Sequence, residues 1–215
     1  MNMQNISAFF SNSSHTQLLA GYTNKQESLN VLQQYLDLNN VPLVQMEQVH
    51  ANHLAEITTT HSTIIKNVDA IFTFKTNICL AVRWADCLPI LFSHSSGLVG
   101  VIHAGRRGTE NLVTKKALMK IKTICDISPR QPLSVWFGPR ICSRCYQIDK
   151  VTNLHYDLVK ENQHQLFSVL DGNLVSLREE PKCTHCNPKQ FYSYRRDGSG
   201  VSMNYAVIAQ LSSLE

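Results

Sequence analysis

Apolar residues in this chain fall into short blocks bounded by polar residues, Gly or Pro, with a few series spaced by four. Residues 81–92 enclose Asp86-Cys87, and residues 99–108 place His103 ahead of the turn Ala104-Gly-Arg-Arg-Gly108. Each apolar run is short and rich in branched residues, so each reads as a buried strand carrying one reactive side chain at its end. Beyond the turn, Thr109 is placed as an N-cap, and Val113, Ala117, Ile121 and Cys125 predict one amphipathic helix packed on the sheet. Leu133, Val135 and Phe137 alternate up to Gly138-Pro139 and predict a strand that the proline stops. Val151, Leu154, Leu158 and Val159 predict a further helix face. Residues 167–170 and 174–177 flank Asp171-Gly172-Asn173 as a hairpin, 191–194 read as a strand, and 205–211 as a closing helix. Strands and helices mix without a strict βαβ rhythm. The expected fold is α+β, a layered mixed sheet with helices on its faces. No repeat, low-complexity tract or linker divides residues 1–215, so one domain is expected.

Composition narrows the function classes. The chain has 215 residues, 43% hydrophobic, enough for a sizeable core. Its formal charge of +4 comes from 20 basic and 16 acidic residues without like-charge blocks, so no nucleic-acid or membrane footprint is visible. Residues 1–7 lack a basic leader and the apolar residues after them are too few to span a bilayer, which predicts a cytoplasmic protein. Leu214-Glu215 reads as a cloning remnant and carries no weight. Seven cysteines are an odd number in a chain too large to need disulfide staples, favouring reduced thiols, metal ligands or catalysis.

His50, Cys87 and His103 together offer two imidazoles and a thiol, a donor set that suits Zn²⁺. Their wide separation points to a site assembled by tertiary structure with one coordination position open, as catalysis requires. One buried thiol and two ordinary histidines is the competing reading. The turn Gly105-Arg106-Arg107-Gly108 lies between a strand and a helix start, where free amides and two guanidiniums would attract phosphate; a tight turn with exposed arginines is the alternative. Asp86 is read as a supporting acceptor or base beside the metal, or else as a turn residue. Cys142-x-x-Cys145 and Cys183-x-x-Cys186 have the spacing of a four-cysteine zinc site. The other histidines singled out (53, 61, 94, 155, 164 and 185) read as surface or capping residues.

These segments resemble the YfiH family, also known as laccase-like multicopper polyphenol oxidases and as purine nucleoside phosphorylases. The resemblance runs from about residue 48 to 198. It rests on Val68-Asp-Ala70, residues 81–92, His103-Ala-Gly105, Gly138-Pro-Arg-Ile141 with Cys145-Tyr146, Cys183-Thr184, and Phe191-Tyr-Ser-Tyr-Arg-Arg-Asp-Gly198. It implies zinc on His50, Cys87 and His103, with copper as the metal of the older name. It also implies that Tyr194, Arg195 and Arg196 close the site from the other side. Three departures stand out. Arg106 occupies the position of a usual Trp, the N-terminal Thr-Arg-x-Gly-Gly type segment is not recognisable in residues 1–40, and 170–183 is short for the helix usual there. Of the paired cysteines, only the positions of Cys145 and Cys183 are typical of the family.

The activity implied is phosphorolysis of adenosine, inosine or methylthioadenosine, with purine nucleoside and phosphate as small-molecule partners and adenosine deamination as a companion reaction. An amidase acting on muramyl-peptide precursors, with zinc hydroxide or Cys87 activated by His103 attacking the amide, is a second enzyme reading. A zinc-stabilised binding module is the non-enzyme one. A true multicopper oxidase needs copper sites rich in His-x-His pairs, and this sequence contains none.

Overall fold

In this computed structural model, which describes residues 4–5, 16–25, 33–34, 36–37, 40–60 and 63–212, the apolar blocks form two facing six-stranded sheets. The first sheet contains β1 (Gln4–Asn5), β2 (Thr16–Tyr22), β3 (Leu43–Met46), β5 (Ile64–Ile65), β7 (Ile78–Trp84) and β14 (Asn204–Ser212). Its spatial order is β1-β2-β14-β7-β3-β5. The second sheet contains β4 (Leu54–Glu56), β6 (Ala70–Thr73), β8 (Leu88–Ser93), β9 (Val99–Ala104), β10 (Leu133–Phe137) and β13 (Val175–Glu179). It runs β13-β10-β8-β9-β6-β4. A small ribbon pairs β11 (Gln147–Asp149) with β12 (Leu154–His155). The layered α+β expectation holds, with two sheets in place of one.

Side chains alternate across a strand, so a sheet covered on both faces needs apolar residues at nearly every position. β8, β9 and β10 are buried throughout. Between the sheets lie Val82, Trp84, Val101 and Ile208, with Tyr22 stacked on Trp136 at 5.4 Å. The second sheet's outer face is covered by α2 (Val113–Ile124) and α3 (Leu158–Phe167). Each fully buried Leu, Ile or Val contributes roughly 1.5–3 kcal/mol to such a core.

Several local expectations are corrected. Helix begins at Arg106, in the short α1 (Arg106–Glu110), with Gly105 as its N-cap and Thr109 inside it. Thr109 instead ties α3 down: its hydroxyl accepts from Asn162 at 3.0 Å and its carbonyl from Gln165 at 2.7 Å. The chain breaks at Leu112, which takes φ 63°, before α2 starts. Val151 is 96% exposed and Leu154 lies in β12, so neither belongs to α3, whose true start is Asp157 capping the amides of Val159 and Lys160. The expected hairpin around Asp171 is a 3₁₀ turn (Gly172–Leu174) leading to β13, which runs parallel to β10. Residues 191–193 form no strand and lead into α4 (Tyr194–Asp197). The closing helix is a strand: β14 pairs with β2 and β7, and the sheet's two covered faces bury Ala206, Val207, Ile208 and Ala209 alike. His61 and Leu214-Glu215 lie outside the described residues.

Candidate active site

Strand register builds the site. β7 in the first sheet and β8 in the second are joined by the turn 85–87, so the block 81–92 crosses from one sheet to the other. β8 pairs with β9 as Leu88 opposite Ala104, which sets Cys87 beside Gly105. β6 pairs with β9 as Ala70 opposite Ile102, and the next step brings Asp69 to His103, whose amide donates to the Asp69 carbonyl at 2.8 Å. β4 runs parallel to β6, so the loop before it, carrying His50, reaches the same end of the sheet.

Asp69 organises this end. Its carboxylate, fully buried, accepts from His103 Nδ1 at 2.9 Å and from the amides of His50 and Ala51 at 3.0 and 2.8 Å. A carboxylate partner fixes the proton on Nδ1 and leaves Nε2 free to bind a metal. His50 sits at φ 59°, a left-handed conformation that these amide bonds hold in place. Burial works against the Asp69 charge, but the His103 bond, the Ala51 amide and the imidazolium charge keep its carboxyl below the usual range.

The result is a three-residue cluster: donor atoms of His50, Cys87 and His103 all lie within 4.8 Å of one another. His50 Nε2 stands 3.9 Å from Cys87 Sγ, and the two imidazoles meet edge to face at 4.7 Å. Burial opposes the Cys87 thiolate, yet the His103 charge and the hydrogen bonds from His103 and His50 bring its thiol down to about 6. His103 is likewise opposed by burial, but the Cys87 charge and the Asp69 bond lift it to about 9. A Cβ on Gly105 would lie 2.8 Å from His50 Cδ2 and 2.9 Å from Cys87 Sγ, so the glycine leaves the cradle open. Two imidazoles, one oriented through its far nitrogen, and one acidic thiol fit Zn²⁺ with a coordination position to spare.

All three residues line a cavity of about 560 Å³. Four guanidinium groups also line it, those of Arg83, Arg106, Arg107 and Arg195. Arg106 is neutralised by Glu110 at 2.9 Å, and Arg195 donates to the Gln147 carbonyl at 2.8 Å and stacks over Tyr146 at 5.4 Å. Among the described residues, the guanidiniums of Arg83 and Arg107 have no hydrogen-bond or ion-pair partner. Tyr146, Tyr194 and Met203 supply the less polar wall.

The expected residues do not all converge on the metal cluster. Asp86 lines the cavity, and its carboxylate accepts from the Thr184 hydroxyl at 2.6 Å and the Arg195 amide at 2.7 Å. With φ 94°, Asp86 shapes the turn that presents Cys87. Gly108 is interior to α1, where a Cβ would meet the Ala51 carbonyl at 2.9 Å, so it serves packing and does not face the cavity. Arg196 also lies off the cavity: it donates to the carbonyls of Thr184, His185 and Phe191 and to Asp197. His94, expected at the surface, is buried and bonded to Ser96 and the Gln131 carbonyl.

Three residues escaped the sequence reading. Asp69 stands in a segment quoted for its resemblance, but only register reveals its neighbour. Arg83 could have been flagged as the one charge in an otherwise apolar strand, and Gln48 fixes it, exchanging bonds of 2.8 and 3.0 Å with its backbone. Tyr146 carried no signal beyond the motif around it.

Residues 22–168 match the family described as "Multi-copper polyphenol oxidoreductase laccase". Purine nucleoside phosphorylase YlmD of Geobacillus stearothermophilus is 30% identical over 195 residues, covering 76% of this chain and 70% of that protein. Purine nucleoside phosphorylase RP494 of Rickettsia prowazekii is 24% identical over 215 residues, covering 87% and 85%. Among solved structures, YlmD from Geobacillus stearothermophilus superposes with a TM-score of 0.78 at 23% identity, covering 95% of this chain and 99% of that one. The hypothetical protein YfiH of Bacillus licheniformis gives 0.76 at 20% identity, covering 92% and 97%. The fold is shared with both.

Proposed function

The chain belongs to the multi-copper polyphenol oxidoreductase laccase family, and from that premise we propose that it is a zinc-dependent purine nucleoside phosphorylase acting on adenosine, inosine or methylthioadenosine. The observation that carries this reading is one cavity in which a His-Cys-His cluster adjoins several guanidiniums, two of them without a partner among the described residues. Such a cavity favours an anion over a neutral co-substrate, since unpaired guanidiniums bind phosphate oxygens through charge-assisted bonds. The names of the relatives supply the class of substrate.

In this account Arg107 and Arg83 hold phosphate, while Tyr146, whose ring is fixed by Arg195 and by Tyr156 at 6.2 Å, packs against the purine. A phosphate oxygen forms a bond to ribose C1′, the C1′–N9 bond breaks, and the purine leaves with the electron pair and takes up a proton. Holding both substrates in one cavity supplies the orientation that such a displacement needs. A metal on His50, Cys87 and His103 would supply Lewis-acid polarisation at the open position. The copper-oxidase part of the family's description does not enter the proposal, because the sequence has no His-x-His pair from which a copper cluster is built.

One observation favours a second reading. Without metal, Cys87 and His103 form a thiolate–imidazolium pair, the arrangement of a cysteine nucleophile acting on an amide. Initial rates at saturating inosine and increasing phosphate separate the two. Base release that depends on phosphate supports the phosphorylase; release of an amino acid or peptide from a muramyl peptide, independent of phosphate, supports the amidase.

A further inference from the structure

Away from the cavity cluster, Cys142, Cys145, Cys183 and Cys186 bring four sulfurs within 4.8 Å of one another. We infer that these four cysteines bind a second, structural Zn²⁺ that joins two loops forming one wall of the cavity. The inference is independent of the phosphorylase reading.

Several observations converge on it. Four thiols gain almost nothing by meeting, since sulfur is a weak hydrogen-bond partner, and four thiolates repel unless a cation lies among them. Zinc with four sulfurs at about 2.3 Å sets them about 3.8 Å apart, the scale seen here. Cys145 and Cys186 stand at 3.4 Å, well beyond the roughly 2.05 Å of a disulfide, and all seven cysteines are free. A backbone amide points at a sulfur: Cys142 N donates to Cys183 Sγ at 3.2 Å. Such a bond stabilises a thiolate bound to metal. Each pair spans a tight turn, one of them the 3₁₀ turn Ser143–Cys145, and each turn is closed by its own backbone bond: Cys145 N donates to the Cys142 carbonyl at 3.0 Å and Asn187 N to the Cys183 carbonyl at 3.1 Å.

The site's position gives it a purpose. Cys145 directly precedes Tyr146, and the turn 183–186 carries Thr184, which grips Asp86, and leads on to Tyr194 and Arg195. The two strands feeding these turns, β10 and β13, are neighbours, but the turns extend past the sheet, where backbone pairing between them shrinks to the single bridge Arg140–Cys183. A metal clip there replaces the missing ladder.

The test is metal analysis of the full chain. The wild type is expected to hold about two zinc ions and the Cys87→Ala/His103→Ala variant about one. In that variant, zinc-edge X-ray absorption should show four sulfurs at about 2.3 Å. Cobalt exchange should give the thiolate-to-cobalt charge-transfer bands of a tetrahedral sulfur site. Cys142→Ser/Cys186→Ser should lose this ion and keep the other. Should that variant fail to fold, alkylation mapping of the wild type decides: the four cysteines should be protected until a chelator is added. A Cys145–Cys186 disulfide, iron in place of zinc, or a Cys87→Ala/His103→Ala protein without bound zinc overturns the inference.

Discussion

The carboxylate of Asp69 binds His103 Nδ1 at 2.9 Å while accepting the His50 amide at 3.0 Å, so one buried group sets the orientation of two cluster ligands at once. Asp69→Asn keeps the shape and removes the charge. Losing an orienting carboxylate of this kind costs roughly 10–100-fold in metal affinity. Competition with a chromogenic chelator measures it, and an affinity equal to wild type would mean that the ligands hold their positions without Asp69.

Removing a ligand has a larger effect than misorienting one. Cys87→Ala or His103→Ala should each cost about one equivalent of zinc and abolish turnover, because two protein donors are too few for a stable site. Elemental analysis of each variant checks this. Zinc content unchanged from wild type in both would place all of the metal on the paired cysteines.

Phosphate use should depend on Arg107 and Arg83. Arg107→Ala is expected to raise the phosphate KM by roughly 10–100-fold, the equivalent of about 1.5–3 kcal/mol for a charge-assisted pair. Arg83→Ala should act in the same direction. Arg106→Ala should do less, since Glu110 already neutralises it. Steady-state kinetics at saturating nucleoside would show this ordering, and a phosphate KM that is the same in the Arg107 variant and wild type would remove Arg107 from the anion site.

Cys87 and His103 are legible in the sequence because each stands at the edge of an apolar run, Cys87 before β8 and His103 near the end of β9. Their meeting is not, because it depends on the register of β6, β8 and β9, which local patterning does not encode. The same limit hides the role of Asp69. β14 read as a helix because a strand covered on both faces loses its alternation, leaving an apolar run compatible with either element. Thr109 read as a cap because its real partners, Asn162 and Gln165, lie on a helix far along the chain.

Acid should loosen the loop that presents Tyr194 and Arg195. Asp197 is held at about 2, below its usual 3.8, chiefly by the Arg196 hydrogen bond acting against burial, with help from the Ser193 amide and the charges of Arg196 and Lys25. A depressed carboxyl contributes stability that is complete above its unfolded value and disappears as pH falls through about 2. Asp197→Asn should therefore be less stable than wild type at pH 7, with the gap closing towards pH 2. Urea midpoints at both pH values report it, and a gap that does not change with pH would show that the carboxylate's charge is immaterial.

In the proposed reaction phosphate, and not water, displaces the purine. Turnover of adenosine in ¹⁸O-labelled water containing ordinary phosphate tests it most directly, with nucleoside, base and sugar products resolved by mass spectrometry. Adenine and ribose 1-phosphate, both free of label, are the expected products. Labelled ribose or labelled inosine as the main product would contradict the proposed reaction, the first by showing hydrolysis at C1′ and the second by showing deamination.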